Sequence, residues 1–263
     1  MYQLPDYIIF SQINSPNINY SWDDSDVESC LNYDYANYII NKVNAISLRA
    51  KIALSIGIYE WILGRFEGLY HNVIPKQIAE MAWCANINKE YTYYLEFDRA
   101  EYLGPINAPI WCGFSFLIPT LYVSENVGID ESNASDIFGY DENAWETALL
   151  YLISITIHIV PKNKLSIFID WLEGVVHRLL NFYIMPEEDP FINLFGHKND
   201  KDWLGDYISR EVLDLNYAYF PDKSLELCDK YLQSVDYISN PFLLLPEDIA
   251  NNKIKTPYRL LQE

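Results

Sequence analysis

Two short segments of the chain combine side chains that can bind a metal ion or transfer a proton. Glu67 and His71 have the same Glu-Gly-x-x-His spacing as Glu173 and His177. If each segment is helical, its carboxylate and imidazole share one helix face, because residues four positions apart are neighbours there. Two such helices packed antiparallel would present two Glu and two His side chains to one metal ion.

This pattern resembles the metal sites of di-iron helical bundle proteins. In that family the carboxylate and the histidine of a pair lie three residues apart, whereas the spacing here is four. The resemblance implies a metal-dependent helical enzyme. The alternative is two independent surface pairs near helix ends, where a cation is favourable for the helix dipole. We adopt this second interpretation, which predicts no metal and no other cofactor.

Other catalytic signatures are absent from the sequence. It contains no G-x-S-x-G elbow, no G-x-x-x-x-G-K-[ST] phosphate loop and no G-x-G-x-x-G segment. The four cysteines have no C-x-x-C spacing and fit buried, reduced thiols. We therefore expect that the protein is not an enzyme and has no catalytic residue.

The elements that must position any site are predicted to be helices. Apolar residues recur at three- and four-residue spacing, which is typical of amphipathic helices. The pattern predicts helices over about 35–70, from Pro75 to Ala85, over 111–119, 144–160 and 164–183, near 200–218 and 224–235, and briefly after Pro246. The aromatic segment 91–103 fits a strand pair or a helix, and we favour a helix. The sequence thus predicts an all-α, bundle-like fold of one or two lobes.

The 263 residues fit one large domain or two small ones. We expect an irregular acidic segment over 1–34, a helical lobe over 35–126, an acidic loop over 127–140 and a second helical lobe over 141–263. The loop is rich in Gly, Asp, Ser and Asn, which favour turns. The two lobes are expected to pack into a single compact unit.

The sequence also bears on location. The apolar stretches 110–123 and 148–160 are shorter than the ~20 residues that cross a bilayer. The first residues lack the basic and apolar regions of a secretory signal. A pI near 4.4 disfavours nucleic acids and anionic membranes as partners. We expect a soluble, cytoplasmic protein.

Charge and tyrosine content point to a protein partner. The chain has 37 Asp+Glu against 18 Lys+Arg, a formal net charge of −19, and is 50% hydrophobic. It is too apolar for a disordered acidic tail, so it folds against its own charge repulsion. Its 22 tyrosines outnumber all Lys and Arg, and tyrosine is favoured at interfaces. A basic protein partner would offset the repulsion.

We predict that acidic and tyrosine side chains together bind the Lys and Arg side chains of this partner. The candidate contact residues are Asp130, Glu131, Asp136, Asp141, Glu142, Glu187, Glu188, Asp189, Asp200, Asp202, Asp206, Tyr91 and Tyr94. The alternative is that each acidic cluster serves helix capping and solubility, and that the tyrosines are buried in the helices.

An acidic, mostly helical protein without catalytic motifs resembles the immunity proteins of bacterial polymorphic-toxin, contact-dependent and type VI competition systems. The resemblance implies a stoichiometric inhibitor that binds a cognate toxin domain and blocks its active site or its substrate. A nuclease toxin would be basic, and charge steering would speed the encounter. The alternatives are the metal-dependent helical enzyme and a helical scaffold or regulatory module for another protein.

Overall fold

The computed structural model describes residues 2–93, 97–122, 144–185, 204–250 and 254–261. These residues form nine α-helices and no β-strand, which confirms the all-α prediction. The helices are α1 (Asp6–Ser11), α2 (Asp34–Val43), α3 (Leu48–Arg65), α4 (Ile74–Ile87), α5 (Gly104–Thr120), α6 (Ala144–Ile159), α7 (Leu165–Phe182), α8 (Ser224–Ser234) and α9 (Pro246–Ala250). None of the described helices is long and apolar enough to cross a membrane.

Helix α3 is the centre of the fold. Every residue of α3 except Arg49 is buried, which is the pattern of a helix surrounded by other elements on all sides. It contacts α1, α4, α5, α6 and α7. Two glycines allow close approach, since a Cβ atom at Gly64 would lie 2.3 Å from Ile8 Cγ2, and one at Gly57 2.5 Å from Leu213 Cδ1.

Helices from both predicted lobes share one hydrophobic core. Helix α6, from the second lobe, packs against α2, α3 and α5 of the first. Leu54 of α3, Phe114 of α5, Leu152 of α6 and Leu179 of α7 are completely buried in the same cluster. The predicted loop at 127–140 lies outside the described residues, but the helices on its two sides do not form separate cores.

The helical pattern predicted over about 35–70 is interrupted in the structure, because the chain turns between α2 and α3. Ile46 pairs with Ile184 in an isolated β-bridge. Ser47 then starts α3, and its Oγ accepts a hydrogen bond from the Ala50 N–H at 3.4 Å, the usual role of a serine N-cap. Helix α3 ends at Arg65, and Gly68 follows with a φ of +81°.

Two further helix predictions are wrong for the described residues. Within 91–103, only the 3₁₀ turns at Lys89–Tyr91 and Arg99–Glu101 are helical. Over 205–218 only Arg210–Leu213 forms a 3₁₀ turn. Arg178 of α7 accounts for the irregular backbone over 205–218. Its guanidinium donates hydrogen bonds to four carbonyls of this segment, which in an α-helix would accept hydrogen bonds from backbone N–H groups. These carbonyls belong to Val212, Asp214, Leu215 and Tyr217.

The other predicted helices are confirmed at α4, α5, α6, α7, α8 and α9. Pro75 lies in the first turn of α4. Proline is favourable there because the N–H groups of the first turn have no acceptor within the helix, so its missing N–H costs no hydrogen bond. The segment 1–34 is mostly irregular, with α1 and one 3₁₀ turn at Glu28–Cys30. Its residues Tyr2, Leu4 and Ile8 are buried in the core, so the segment is part of the folded body.

Candidate partner-binding surface

Most of the predicted contact residues lie outside the described residues, and their role stays a prediction. They are Asp130, Glu131, Asp136, Asp141, Glu142, Glu187, Glu188, Asp189, Asp200, Asp202 and Tyr94. Asp206 is described and exposed. Tyr91 is only 1% exposed, and its ring stacks on that of Tyr258 with centroids 4.8 Å apart. The Tyr91 side chain therefore belongs to the core and does not present a contact surface.

The first Glu-Gly-x-x-His segment is not helical, which corrects the basis of the proposed metal pair. Glu67 follows the end of α3, and its Oε1 is 2.8 Å from Lys76 Nζ in an exposed ion pair. The positive φ of Gly68 turns the chain away before His71. Glu67 and His71 thus do not share a helix face.

The second segment lies within α7, where each side chain has a different neighbour. Glu173 bonds to Tyr35 and Lys42, whereas His177 Nε2 lies 3.1 Å from Asn181 Nδ2. Across the described parts of the chain, no group of three or more His, Cys, Asp or Glu side chains is arranged to hold a metal ion. The four candidate ligands therefore do not form one site.

An acidic surface instead begins in the N-terminal segment. Residues 1–41 contain six Asp and Glu and no Lys or Arg. Asp23 Oδ1 accepts hydrogen bonds from the N–H and the Oγ of Ser25, at 2.8 and 2.6 Å. These bonds hold the pKa of the Asp23 carboxyl below its ordinary value. Asp23, Asp26 and Glu28 are all exposed, so three carboxylates face solvent over six residues.

Tyrosines connect this acidic segment to α6. The Tyr151 hydroxyl donates a hydrogen bond to Glu28 Oε1 at 2.7 Å. The Tyr151 ring meets the Tyr33 ring edge to face, with centroids 5.7 Å apart, and stacks on Phe116 of α5. The edge-to-face contact is a favourable arrangement of aromatic rings. The Glu28 carboxylate is therefore fixed to the helical body.

A second group of contacts extends the same surface to α7. The Tyr35 hydroxyl donates to Glu173 Oε1 at 3.1 Å, and Lys42 Nζ donates to Glu173 Oε2 at 2.8 Å. Lys42 Nζ also lies 4.3 Å from the centroid of the Tyr38 ring. Burial raises the pKa of Tyr35, and the charges of Glu173 and Asp170 add to the rise, so the hydroxyl stays a donor at neutral pH.

We call this surface the acidic tyrosine face. It consists of Asp23, Asp26, Glu28, Tyr33, Asp34, Tyr35, Tyr38, Tyr151, Asp170 and Glu173. Six of these residues are carboxylates, and Lys42 is the one cation that pairs with the face among the described residues. Lys42 also shows how the face binds a cation, with a carboxylate on one side and a tyrosine ring on the other.

The sequence predicts the acidic segment before the first long helix, but it does not predict the acidic tyrosine face. Tyr151, Asp170 and Glu173 lie more than a hundred positions from Asp26 and Glu28, and no local pattern joins them. Comparison of the chain with protein-family models, with curated proteins and with solved structures gives no match.

Proposed function

We propose that the protein binds a basic protein partner through the acidic tyrosine face and thereby blocks the partner's activity, as an immunity protein does with its cognate toxin. The observation that carries the proposal is the composition of the face. Six carboxylates, two of which accept hydrogen bonds from tyrosines, have one lysine between them in the described structure. The remaining negative potential is available to Lys and Arg side chains of another protein.

The two residue types of the face contribute differently to binding. Exposed carboxylates add little affinity each, but they attract a basic partner and increase the association rate. Tyrosines supply contact area with little loss of side-chain entropy and are frequent among the residues that dominate binding energy. Tyr38 is 47% exposed, so its ring is available for such a contact.

Capture of proteins from the native host tests this proposal. The bait proteins are the wild-type chain, the face variant D34K/D170K and the control variant D222K/D248K. All four substituted aspartates are exposed, and the control variant makes the same charge change outside the face. At low salt we expect the wild-type chain and the control to retain one basic protein, identified by mass spectrometry, and the face variant to lose it.

Two results would contradict the proposal. One is that no basic protein is retained by the wild-type chain at low salt. The other is that the face variant retains the same protein as the control. A further assay separates an inhibitor from a scaffold or regulatory module: an inhibitor abolishes the activity of the purified partner at a one-to-one ratio, whereas a scaffold leaves it unchanged.

A further inference from the structure

A cavity of about 740 Å³ lies beside the segment that also contributes Glu28 and Tyr33 to the acidic tyrosine face. Part of its lining comes from the N-terminal segment (Asn17, Asn19, Tyr20, Cys30 and Asn32). The rest comes from the C-terminal part of α6, from residues 160–163 and 165, and from Arg65 of α3. This volume is within the ~300–1,000 Å³ that small-molecule sites occupy. The cavity is therefore large enough for a metabolite-sized ligand.

The charge of the cavity is opposite to that of the chain. Arg65, Lys162 and His158 line it, and no Asp or Glu is among its described lining residues. The whole chain has twice as many acidic as basic residues. Glu28 is two positions from the lining residue Cys30, but its carboxylate bonds to Tyr151 and does not line the cavity. The cavity thus favours an anion.

Arg65 is the buried cation of this site. It is 1% exposed, and its guanidinium donates to the carbonyls of Ile159, Ser15 and Asn17 at 2.8, 2.6 and 2.8 Å. These carbonyls fix the orientation of the guanidinium but bring no negative charge, and no described carboxylate pairs with it. A guanidinium has five N–H groups, so two remain after these three bonds.

Ser154 provides an independent indication of a ligand. The residue is 1% exposed, lines the cavity and lies on α6. Its Oγ has no hydrogen-bond partner within the described structure. Buried hydroxyl groups are nearly always hydrogen-bonded, because an unmade bond is costly. A ligand oxygen that reaches this hydroxyl would supply the missing partner.

The start of α7 adds further positive potential. Leu165, the first residue of α7, lines the cavity. The first turn of this 18-residue helix has no acidic residue and no side-chain cap. The N–H groups of such a turn and the helix dipole favour an anion. The exposed Lys162 stands just before this turn.

We propose that this cavity binds a small organic anion. Its phosphate or carboxylate group is held by Arg65, Lys162 and the Ser154 hydroxyl, and its body lies against the Tyr20 ring. Four asparagines, Asn17, Asn19, Asn32 and Asn163, complete the lining and offer donors and acceptors to a polar body. This ligand site does not rest on the proposed partner binding, although its lining residues Cys30 and Asn32 are sequence neighbours of Glu28 and Tyr33 in the acidic tyrosine face.

Calorimetric titration of the full chain at low salt tests the site with three probes: inorganic phosphate, AMP and citrate. We expect AMP or citrate to bind with a Kd below about 1 mM, and whichever binds identifies the headgroup as phosphate or carboxylate. Inorganic phosphate should bind at least about tenfold more weakly than the organic anion, since it lacks the body.

Two variants connect the binding to the cavity. Lys162→Glu should weaken it at least about tenfold and Ser154→Ala about fivefold. Neither change removes a hydrogen bond within the described part of the chain, where Lys162 is exposed and the Ser154 hydroxyl has no partner. Lys230→Glu makes the same charge change on an exposed face of α8, outside the lining, and should leave the Kd within about twofold.

Three outcomes would overturn the proposal. They are that neither organic probe binds with a Kd below about 1 mM, that Lys162→Glu and Lys230→Glu weaken binding equally, or that inorganic phosphate binds as tightly as AMP and citrate. Thermal unfolding of each variant without ligand shows that the protein is folded, which separates lost binding from lost structure.

Discussion

Glu60 is a charged side chain in the middle of the most buried helix. It is 0% exposed, and its carboxylate accepts hydrogen bonds from the hydroxyls of Tyr2 and Tyr7 and from Trp83 Nε1. Arg210 Nη2 lies 3.2 Å from Glu60 Oε1. Burial raises the pKa of both tyrosines, and the charge of Glu60 adds to the rise. Three other parts of the chain are thus attached to α3 through one carboxylate.

Replacing Glu60 with alanine should destabilise the protein by about 3 kcal/mol, because it leaves Arg210 without its counter-charge. We expect the lower end of the usual range, since the Arg210 side chain is 21% exposed. Urea unfolding measures the loss. In the control Glu226→Ala, the broken ion pair with Lys223 is exposed and should cost less than about 1 kcal/mol. Equal losses in the two variants would contradict this role of Glu60.

Lys51 is a second buried charge, and it has a different effect on stability. The residue is 9% exposed, and its Nζ lies 3.8 Å from the centroid of the Trp145 ring. Burial lowers the pKa of Lys51 to about 8, and the nearby Glu146 carboxylate opposes the shift. At neutral pH the folded protein therefore contains an ammonium group that water would solvate better.

Replacing Lys51 with methionine should stabilise the protein at pH 7 by about 2 kcal/mol. Between pH 8 and about 10.5 the unfolded wild-type chain binds more protons at Lys51 than the folded one. The unfolding free energy of the wild-type protein therefore rises with pH relative to that of the variant. The difference in unfolding free energy between the two proteins, measured from pH 7 to 10, should shrink above pH 8. A constant difference would contradict the lowered pKa.

At the level of the helices, the start of α3 forms hydrogen bonds with several other parts of the chain. The Arg49 guanidinium donates to the carbonyls of Asn86 and Ile87 at the end of α4, and to the Gly205 carbonyl at 2.7 Å. Gly205 has a φ of +75°, and a Cβ atom there would lie 2.3 Å from Ser47 Cβ. Glycine is thus needed at 205 for two reasons, conformation and space.

Gly205→Ala should destabilise the protein by about 2–4 kcal/mol, since it adds a clash with Ser47 to the strain of a positive φ. Gly104→Ala is the matched control. Gly104 has a φ of +84°, and a Cβ atom added there would have no neighbour within 4 Å, so only the conformational cost of about 1 kcal/mol applies. Thermal or urea unfolding of both variants checks the difference, and equal losses would show that no clash occurs.

Helices α6 and α7 could be predicted because their boundaries are local. Each is a long apolar periodic run, and Pro161 separates them. The break between α2 and α3 has no glycine or proline. It depends on the bridge of Ile46 to Ile184 and on the Ser47 cap, and a single stretch of sequence does not contain the first of these. The irregular residues 205–218 likewise depend on hydrogen bonds from Arg178, which belongs to another element.

The acidic charge of the candidate partner-binding surface could be predicted from the sequence, but its position in the fold could not. The excess of Asp and Glu is visible in composition, and it suggested an acidic surface for a basic partner. The acidic tyrosine face joins Glu28 to Tyr151, and Tyr35 to Glu173, through contacts between distant segments. The cationic cavity was not visible at all, because Arg65 and Ser154 meet there only after α3 and α6 pack together.

For the whole molecule, the net charge of −19 should make stability depend on ionic strength. Repulsion among the carboxylates opposes folding, and salt screens it. We therefore expect the Tm to rise by several degrees as NaCl increases from about 20 to 300 mM, across the range where the Debye length shortens most. Differential scanning calorimetry measures the shift. A Tm that is constant or falls with NaCl would contradict this account.

The proposed partner binding should respond to salt in the opposite direction, and a separate measurement checks it. The same screening that stabilises the fold weakens attraction between the acidic tyrosine face and a basic protein. Surface plasmon resonance with the captured partner should show a decreasing association rate as NaCl rises and a nearly constant dissociation rate. An association rate that is independent of salt would contradict electrostatic steering.

The buried Glu60 carboxylate has a consequence for synthesis on the ribosome. Tyr2, Tyr7 and Trp83 emerge early and can bond to it, but all three are neutral donors. Its counter-charge, Arg210, follows Trp83 by more than a hundred positions. A nascent chain that ends before Arg210 would have to bury an unbalanced carboxylate to close its core. We therefore expect final folding around α3 to follow the emergence of Arg210 from the ribosome.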